Sequence, residues 1–200
     1  MSELAQVCQE IAVCQQCELS QSRKKAVPGE GPEDADLIFI GEAPGFHENE
    51  QGRPFVGAAG NFLEELLASI GLNRNDVYIT NVVKCRPPGN RDPLVKEVEA
   101  CRPYLHRQIE LIKPKMIVTL GRYSMESFFP GAKISRIHGQ PRRMEDIIYY
   151  PMYHPAAALH QPRYRTDIEQ DMLKIPEILA EAQKVEEMQP PESAEQLSLF

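Results

Sequence analysis

The sequence predicts an α/β fold, a three-layer α/β/α sandwich around a central four-stranded parallel sheet. Three observations lead there. Short apolar runs of strand length alternate with longer segments whose large apolar residues return at helical spacing. The runs are nearly continuous, as in strands covered on both faces. A glycine-rich loop, residues 41–60, follows the first run and leads into the first helical pattern. Open α/β sheets receive ligands at that place, beyond the carboxyl end of a strand.

The elements follow in order. Strands are expected at residues 37–40, 77–83, 116–120 and 147–152. Helical patterns fill residues 62–70, stopped by Gly71, then 94–112 and a shorter stretch at 123–129. A last helix is expected over 166–185, kinked at Pro176. Strands separated by helices imply crossover connections, hence a parallel sheet with helices on both sides.

Two hundred residues suit one domain with a sizeable core, expected over residues 1–185. From residue 186 the chain turns acidic and proline-bearing with almost no apolar side chains, the composition of a disordered tether. It ends in an abrupt apolar return, Gln196-Leu197-Ser198-Leu199-Phe200. The net charge is −7, but six Glu against one Lys lie from Ile175 onward, so this tail carries five of the seven negative charges. The body is near neutral, and its basic residues gather as Lys84, Arg86 and Arg91, as Lys133, Arg136, Arg142 and Arg143, and as Arg163 and Arg165. A local basic face of that kind holds nucleic acid on a chain that is acidic overall. No apolar stretch approaches the ~20 residues of a membrane helix, and the N-terminus has no secretory pattern. A cytoplasmic location without membrane contact is expected, with thiols or metal-bound cysteines in place of disulfides.

The glycine-rich loop matches neither G-x-x-x-x-G-K-[ST] nor G-x-G-x-x-G. Something flat, held by backbone amides and an aromatic ring, fits better, and Phe55 is that ring. Cys14-x-x-Cys17 reads as half of a metal site, with Cys85 and Cys101 as the other half and Cys8 left over. Four thiolates suit a structural zinc or a [4Fe–4S] cluster, and spacing alone leaves both open.

The run Gly41-Glu42-Ala43-Pro44-Gly45, with Glu48 and Gly52-Arg53-Pro54-Phe55-Val56-Gly57 behind it, resembles the first motif of the family 4 iron–sulfur uracil-DNA glycosylases. Three further segments fit the same family in the same order: Tyr78-Ile79-Thr80-Asn81-Val82-Val83-Lys84-Cys85-Arg86-Pro87-Pro88, the spaced cysteines, and His154-Pro155-Ala156-Ala157-Ala158-Leu159. Together they cover roughly residues 8 to 175. The resemblance implies an enzyme that flips uracil out of DNA and hydrolyses its N-glycosidic bond, leaving an abasic site without strand cleavage.

The same resemblance implies roles. His154 stabilises the departing uracil at O2, Asn81 reads N3–H and O4, and Phe55 stacks on the base. Glu48 stands near the C5 edge, and Leu159 fills the gap in the duplex. Glu42, next to His154 in the catalytic set, is expected to hold the loop through backbone hydrogen bonds. Related glycosylases with the pattern GQDPY carry a water-positioning aspartate where this chain has Ala43, so backbone at Ala43 is expected to hold the water. Cys14, Cys17, Cys85 and Cys101 are implied ligands of a structural [4Fe–4S] cluster that brings Lys84, Arg86 and Arg91 to the DNA backbone. The terminal peptide resembles the motif by which bacterial proteins dock on the polymerase sliding clamp, with Gln196, Leu197, Leu199 and Phe200 as contacts. The implied partners are thus uracil-containing DNA, single- or double-stranded, and the clamp, with the chain a monomer.

Two readings compete with this one, of which the first is the alternative and the second is rejected. One is a non-catalytic iron–sulfur or zinc adaptor carried to DNA by the clamp peptide, favoured by the missing carboxylate at Ala43. The other is covalent trapping of uracil-DNA by a histidine on an inserted basic loop. Arg136-Ile137-His138-Gly139 resembles that loop superficially but lies between the third and fourth expected strands, and no insertion follows Lys84.

Overall fold

The computed structural model describes residues 1–188, with side chains as far as Ala182. The chain opens with α1 (Glu3–Val13), capped by the Ser2 hydroxyl accepting from Ala5 N at 3.2 Å, and α2 (Leu19–Ser22). Next come β1 (Leu37–Gly41), α3 (Phe46–Gln51), α4 (Ala58–Ser69) and β2 (Tyr78–Asn81). α5 (Val95–Ile112) leads to β3 (Met116–Leu120). α6 (Arg122–Glu126) and α7 (Ile134–Ile137) precede a hairpin of β4 (Arg142–Met144) and β5 (Ile147–Met152). α8 (Pro155–His160) and α9 (Pro162–Met188) follow.

The sheet runs β2-β1-β3-β5-β4. The first four are parallel, as the apolar runs predict, whereas β4 is antiparallel to β5. The fifth strand corrects the expected count of four. Its three residues are all exposed, and Glu145, at φ 53, turns the chain back into β5. A polar edge strand this short leaves no apolar run to find.

Alternation along β1 builds the three layers. Leu37 and Phe39 face a layer formed by Phe62, Leu63, Leu66 and Leu67 of α4 with Ile168, Met172 and Ile175 of α9. Ile38 and Ile40 face Leu4, Val7 and Ile11 of α1 with Tyr104, Leu105 and Ile112 of α5. Burial on both faces removes each of these side chains from water, worth about 1.5–3 kcal/mol apiece.

Other boundaries differ for physical reasons. The glycine-rich segment is not loop throughout, because α3 forms inside it. α4 starts before the first large apolar residue because its first turn is Ala58, Ala59 and Gly60. α9 begins at Pro162, where proline suits a first turn, and continues through Pro176 to Met188, past the expected boundary at 185. Gln196, Leu197, Leu199 and Phe200 lie outside the described residues. Among the described residues no helix is long and apolar enough to cross a membrane.

This topology brings several functional candidates to one end of the sheet. Gly41 pairs with Asn81 on the last rung of the β1–β2 ladder, and Leu120 pairs with Met152, two residues before His154.

Candidate active site

A cavity of about 390 Å³ opens at that end, lined by Glu42, Ala43, Glu48, Phe55, Asn81 and His154, with Arg91 and Asn90 at its wall. Gly41 lies against two of these lining residues, Phe55 and Asn81. A Cβ there would come within 2.7 Å of Phe55 Cζ and overlap Asn81 Oδ1, so only glycine lets the ring and the amide approach so closely. Asn81 is 2% exposed, and no protein group hydrogen-bonds its side-chain amide among the described residues. Phe55 sits at φ 51, a conformation rarely adopted by a bulky residue. Arg74 holds it there, donating to Phe55 O at 2.8 Å and to Pro54 O at 2.6 Å.

His154 caps α8. Its Nδ1 accepts from Ala156 N at 3.1 Å, which assigns the ring proton to Nε2. Burial pushes its pKa down to about 4, against a smaller upward pull from Glu48, so the ring is neutral at pH 7. Its plane lies 23° from that of Phe55, with centroids 5.5 Å apart. Gly121, at φ +88, makes room behind it, since a Cβ there would meet His154 Cβ at 2.9 Å.

Glu48 lines the cavity and also holds the loop around it. Its Oε1 accepts from Val56 N at 2.9 Å and Gly57 N at 3.1 Å, and its Oε2 accepts from Gly45 N at 3.1 Å. It therefore fixes the wall around Phe55. Glu42 makes a backbone hydrogen bond of the kind expected. Its carbonyl accepts from Val83 N at 2.9 Å, but among the described residues its carboxyl has no hydrogen bond and lines the cavity. Burial, then the Asp92 charge, pushes that carboxyl up to about 7, partly offset by Arg122. Asp92, in the loop before α5, and Arg122, at the start of α6, are remote in sequence from the glycine-rich segment, so no local motif signals this environment. Ala43 lines the same cavity. On α8, Leu159 is 50% exposed while Ala158 packs on the core.

Cys14, Cys17, Cys85 and Cys101 line a second, small cavity with Ile11, Arg23, Lys84 and Tyr104. All are unpaired thiols, and Cys8 faces Tyr78 Oη at 3.9 Å, outside the set. Arg23 Nη1 donates to Cys85 Sγ at 3.2 Å, and Lys84 N approaches Cys101 Sγ at 3.4 Å. Burial raises the Cys85 thiol and takes Cys101 up to about 11, so thiolates here require a cation. Among the described residues no three Cys, His, Asp or Glu side chains are grouped so as to hold a single metal ion.

The expected basic grip is revised. Lys84 is 1% exposed and cannot reach a phosphate. Arg91 is tied to the buried Glu97 through two hydrogen bonds, of 2.9 and 2.7 Å. Arg165 stacks on Phe62 and pairs with Glu65 and Glu169. Arg142 and Arg143 lie on β4, at the opposite edge of the sheet from β2. Arg86, over the Phe46 ring, and Arg163, over Tyr164, remain near segments that build the site. His138, from the segment resembling a covalent-trapping loop, bonds the buried Asp171 through Nδ1 at 2.6 Å and does not line the cavity.

Residues 28–174 match the family described as the uracil DNA glycosylase superfamily. The chain is 48% identical over 188 residues to a type-4 uracil-DNA glycosylase of Sulfurisphaera tokodaii, covering 89% of this chain and 86% of that one. It is 46% identical over 192 residues to the type-4 uracil-DNA glycosylase of Archaeoglobus fulgidus, covering 92% and 96%. The chain belongs to the type-4 uracil-DNA glycosylases. A bacterial member, from Thermotoga maritima, is 47% identical over 137 residues, covering 68% of this chain and 71% of that one. The family match runs from before β1 into α9 and includes every residue lining the first cavity, whereas Cys14, Cys17 and Arg23 of the second lie ahead of it.

Glu48→Ala leaves three backbone N–H groups of this type-4 chain without their acceptor. It is expected to lower unfolding free energy by about 1–3 kcal/mol, measured by urea denaturation. A midpoint equal to wild type would show that Glu48 does not hold the wall.

Proposed function

We propose that this chain is a monofunctional uracil-DNA glycosylase that takes a flipped uracil into the 390 Å³ cavity and hydrolyses its bond to deoxyribose. The observation that carries the reading is the convergence of Phe55, Asn81 and a neutral His154 on one cavity wide enough for a base. Bond breaking develops negative charge on the base, and a donor already placed at its oxygen lowers the barrier. With Nδ1 engaged, Nε2–H of His154 is that donor, directed at O2. The amide of Asn81 accepts from N3–H and donates to O4, a pattern that cytosine reverses, while Phe55 supplies a face to stack on. Leu159 occupies the space the base leaves. An adaptor has no use for such a pocket.

The attacking water is assigned to Ala43 backbone and the Glu42 carboxylate. Glu42 is the free acceptor nearest in sequence to the position where related enzymes carry aspartate. Cys14, Cys17, Cys85 and Cys101 are assigned to a [4Fe–4S] cluster. Four cysteines lining one small cavity match the ligand set of such a cluster, in which each thiolate binds its own iron. Bound there, the cluster would tie the segment after α1 to the end of β2 and to α5. The terminal residues Gln196, Leu197, Leu199 and Phe200 are assigned to sliding-clamp docking on sequence alone, and the chain is taken to act as a cytoplasmic monomer on single- or double-stranded DNA.

The deciding assay offers matched single-stranded oligonucleotides carrying one uracil or one thymine, with abasic sites revealed by hot alkali. Wild type is expected to release uracil only, and His154→Ala to lose on the order of 10²–10³ in kcat. Soluble, iron-loaded wild type that releases nothing returns the adaptor reading.

Glu42 gives a pH signature. With its carboxyl at about 7, the ionised fraction grows from pH 6 to 8, so kcat/KM should climb roughly tenfold per unit below 7 and level off above. His154, at about 4, adds no break in that window. A flat profile, or an inflection retained by Glu42→Gln, would remove Glu42 from the mechanism.

Cys85→Ala should lose the iron chromophore and melt at lower temperature. A stable, active and iron-free variant would contradict a structural cluster.

A further inference from the structure

A charged side chain deep in a protein carries a large desolvation penalty unless its neighbours replace water. Lys84 has no carboxylate partner among the described residues, yet each of its three ammonium protons has an acceptor. They go to Thr80 Oγ1 at 2.6 Å, Asn81 O at 2.8 Å and Gln108 Oε1 at 2.6 Å. The acceptors are themselves fixed. Thr80 donates its own proton to Pro28 O at 2.8 Å, and Gln108 Nε2 donates to Pro28 O at 2.9 Å and Tyr78 Oη at 3.0 Å.

The main chain of the same residue belongs to the other site. Lys84 N approaches Cys101 Sγ at 3.4 Å, Cys85 is the next residue, and Lys84 lines the cysteine cavity. One residue thus joins the two cavities, its backbone at the cysteines and its ammonium on the carbonyl of Asn81.

We propose that Lys84 is a positioning residue that couples the four-cysteine site to base recognition, its ammonium holding the end of β2 so that the Asn81 amide faces the cavity. The inference rests on the glycosylase reading of Asn81. It explains why a lysine is buried where a shorter or apolar side chain would fill space at less cost. A hydrocarbon cannot hold the β2 carbonyl and the Thr80 hydroxyl together from below. The ammonium bonds no sulfur among the described residues, so replacing it leaves the cysteines' own contacts in place.

The test compares wild type, Lys84→Met, Asn81→Ala and the double variant as iron-loaded proteins. Three readouts are taken: iron per chain with visible absorption, kcat and KM on the single-stranded uracil oligonucleotide, and hydrogen exchange of the peptide covering residues 78–84. Lys84→Met is expected to keep its iron, to exchange faster in that peptide, and to lose on the order of 10- to 100-fold in kcat/KM. The double variant should be no slower than Asn81→Ala alone, since the strut acts through the amide already removed. Additive losses, unchanged exchange at 78–84, or loss of iron from Lys84→Met would each overturn the proposal. If Lys84→Met does not fold, Thr80→Val removes one acceptor with little change of volume and carries the same measurements, with smaller losses in the same pattern. Failure of the glycosylase reading is distinct: wild type itself would release no uracil, while the exchange comparison would still report on the strut.

Discussion

The site depends on one rung of the sheet, the pairing of Gly41 with Asn81. Parallel register places the last residue of β1 beside the last residue of β2, and the absence of a side chain on Gly41 opens the space that the Asn81 amide and the Phe55 ring share. Side chains on a strand alternate between faces, so a slip of one residue would turn Asn81 away from the cavity. The apolar sequence on either side makes such a slip costly. Ile38, Phe39 and Ile40 would all exchange layers, emptying positions that α4 and α5 have already packed.

Around that rung, polar groups do what apolar packing cannot. The cavity wall is a segment rich in glycine and proline, with little tendency to hold one shape. Glu48 gives it one by accepting three backbone N–H groups, while Arg74 grasps the carbonyls of Pro54 and Phe55. Arg74 is fixed in turn by Glu30, which also bonds Arg53. The loop is rigid because its charges point at its own backbone, leaving Asn81 and Glu42 with side-chain atoms that no protein group engages among the described residues.

Much of this was legible in the sequence, for reasons tied to particular residues. The four parallel strands announce themselves because burial on both faces demands continuous apolar runs. Phe55, Asn81 and His154 were placed by motif and do line one cavity. β4 escaped because Arg142, Arg143 and Met144 are exposed, and α3 escaped because Phe46–Gln51 carries no helical apolar stripe. Lys84 was read as a surface charge, since a lysine between valine and cysteine gives no local sign of the acceptors waiting at Thr80 and Gln108. The same limit applies to Glu42. Its elevated carboxyl arises from burial and from Asp92, a residue fifty positions away whose proximity only folding creates.

Both margins of the sheet are guarded. At the β2 margin, Glu30 bridges Ile79 through two backbone hydrogen bonds, 3.0 and 2.8 Å, and so takes up hydrogen-bonding groups that an incoming strand would use. At the other margin, β4 is only three residues long and presents two arginines. Short, charged edges resist strand addition from another molecule. Both edges of the described sheet are therefore poor templates for strand addition by a second copy, and one of those protections is the same hairpin that the apolar pattern failed to reveal.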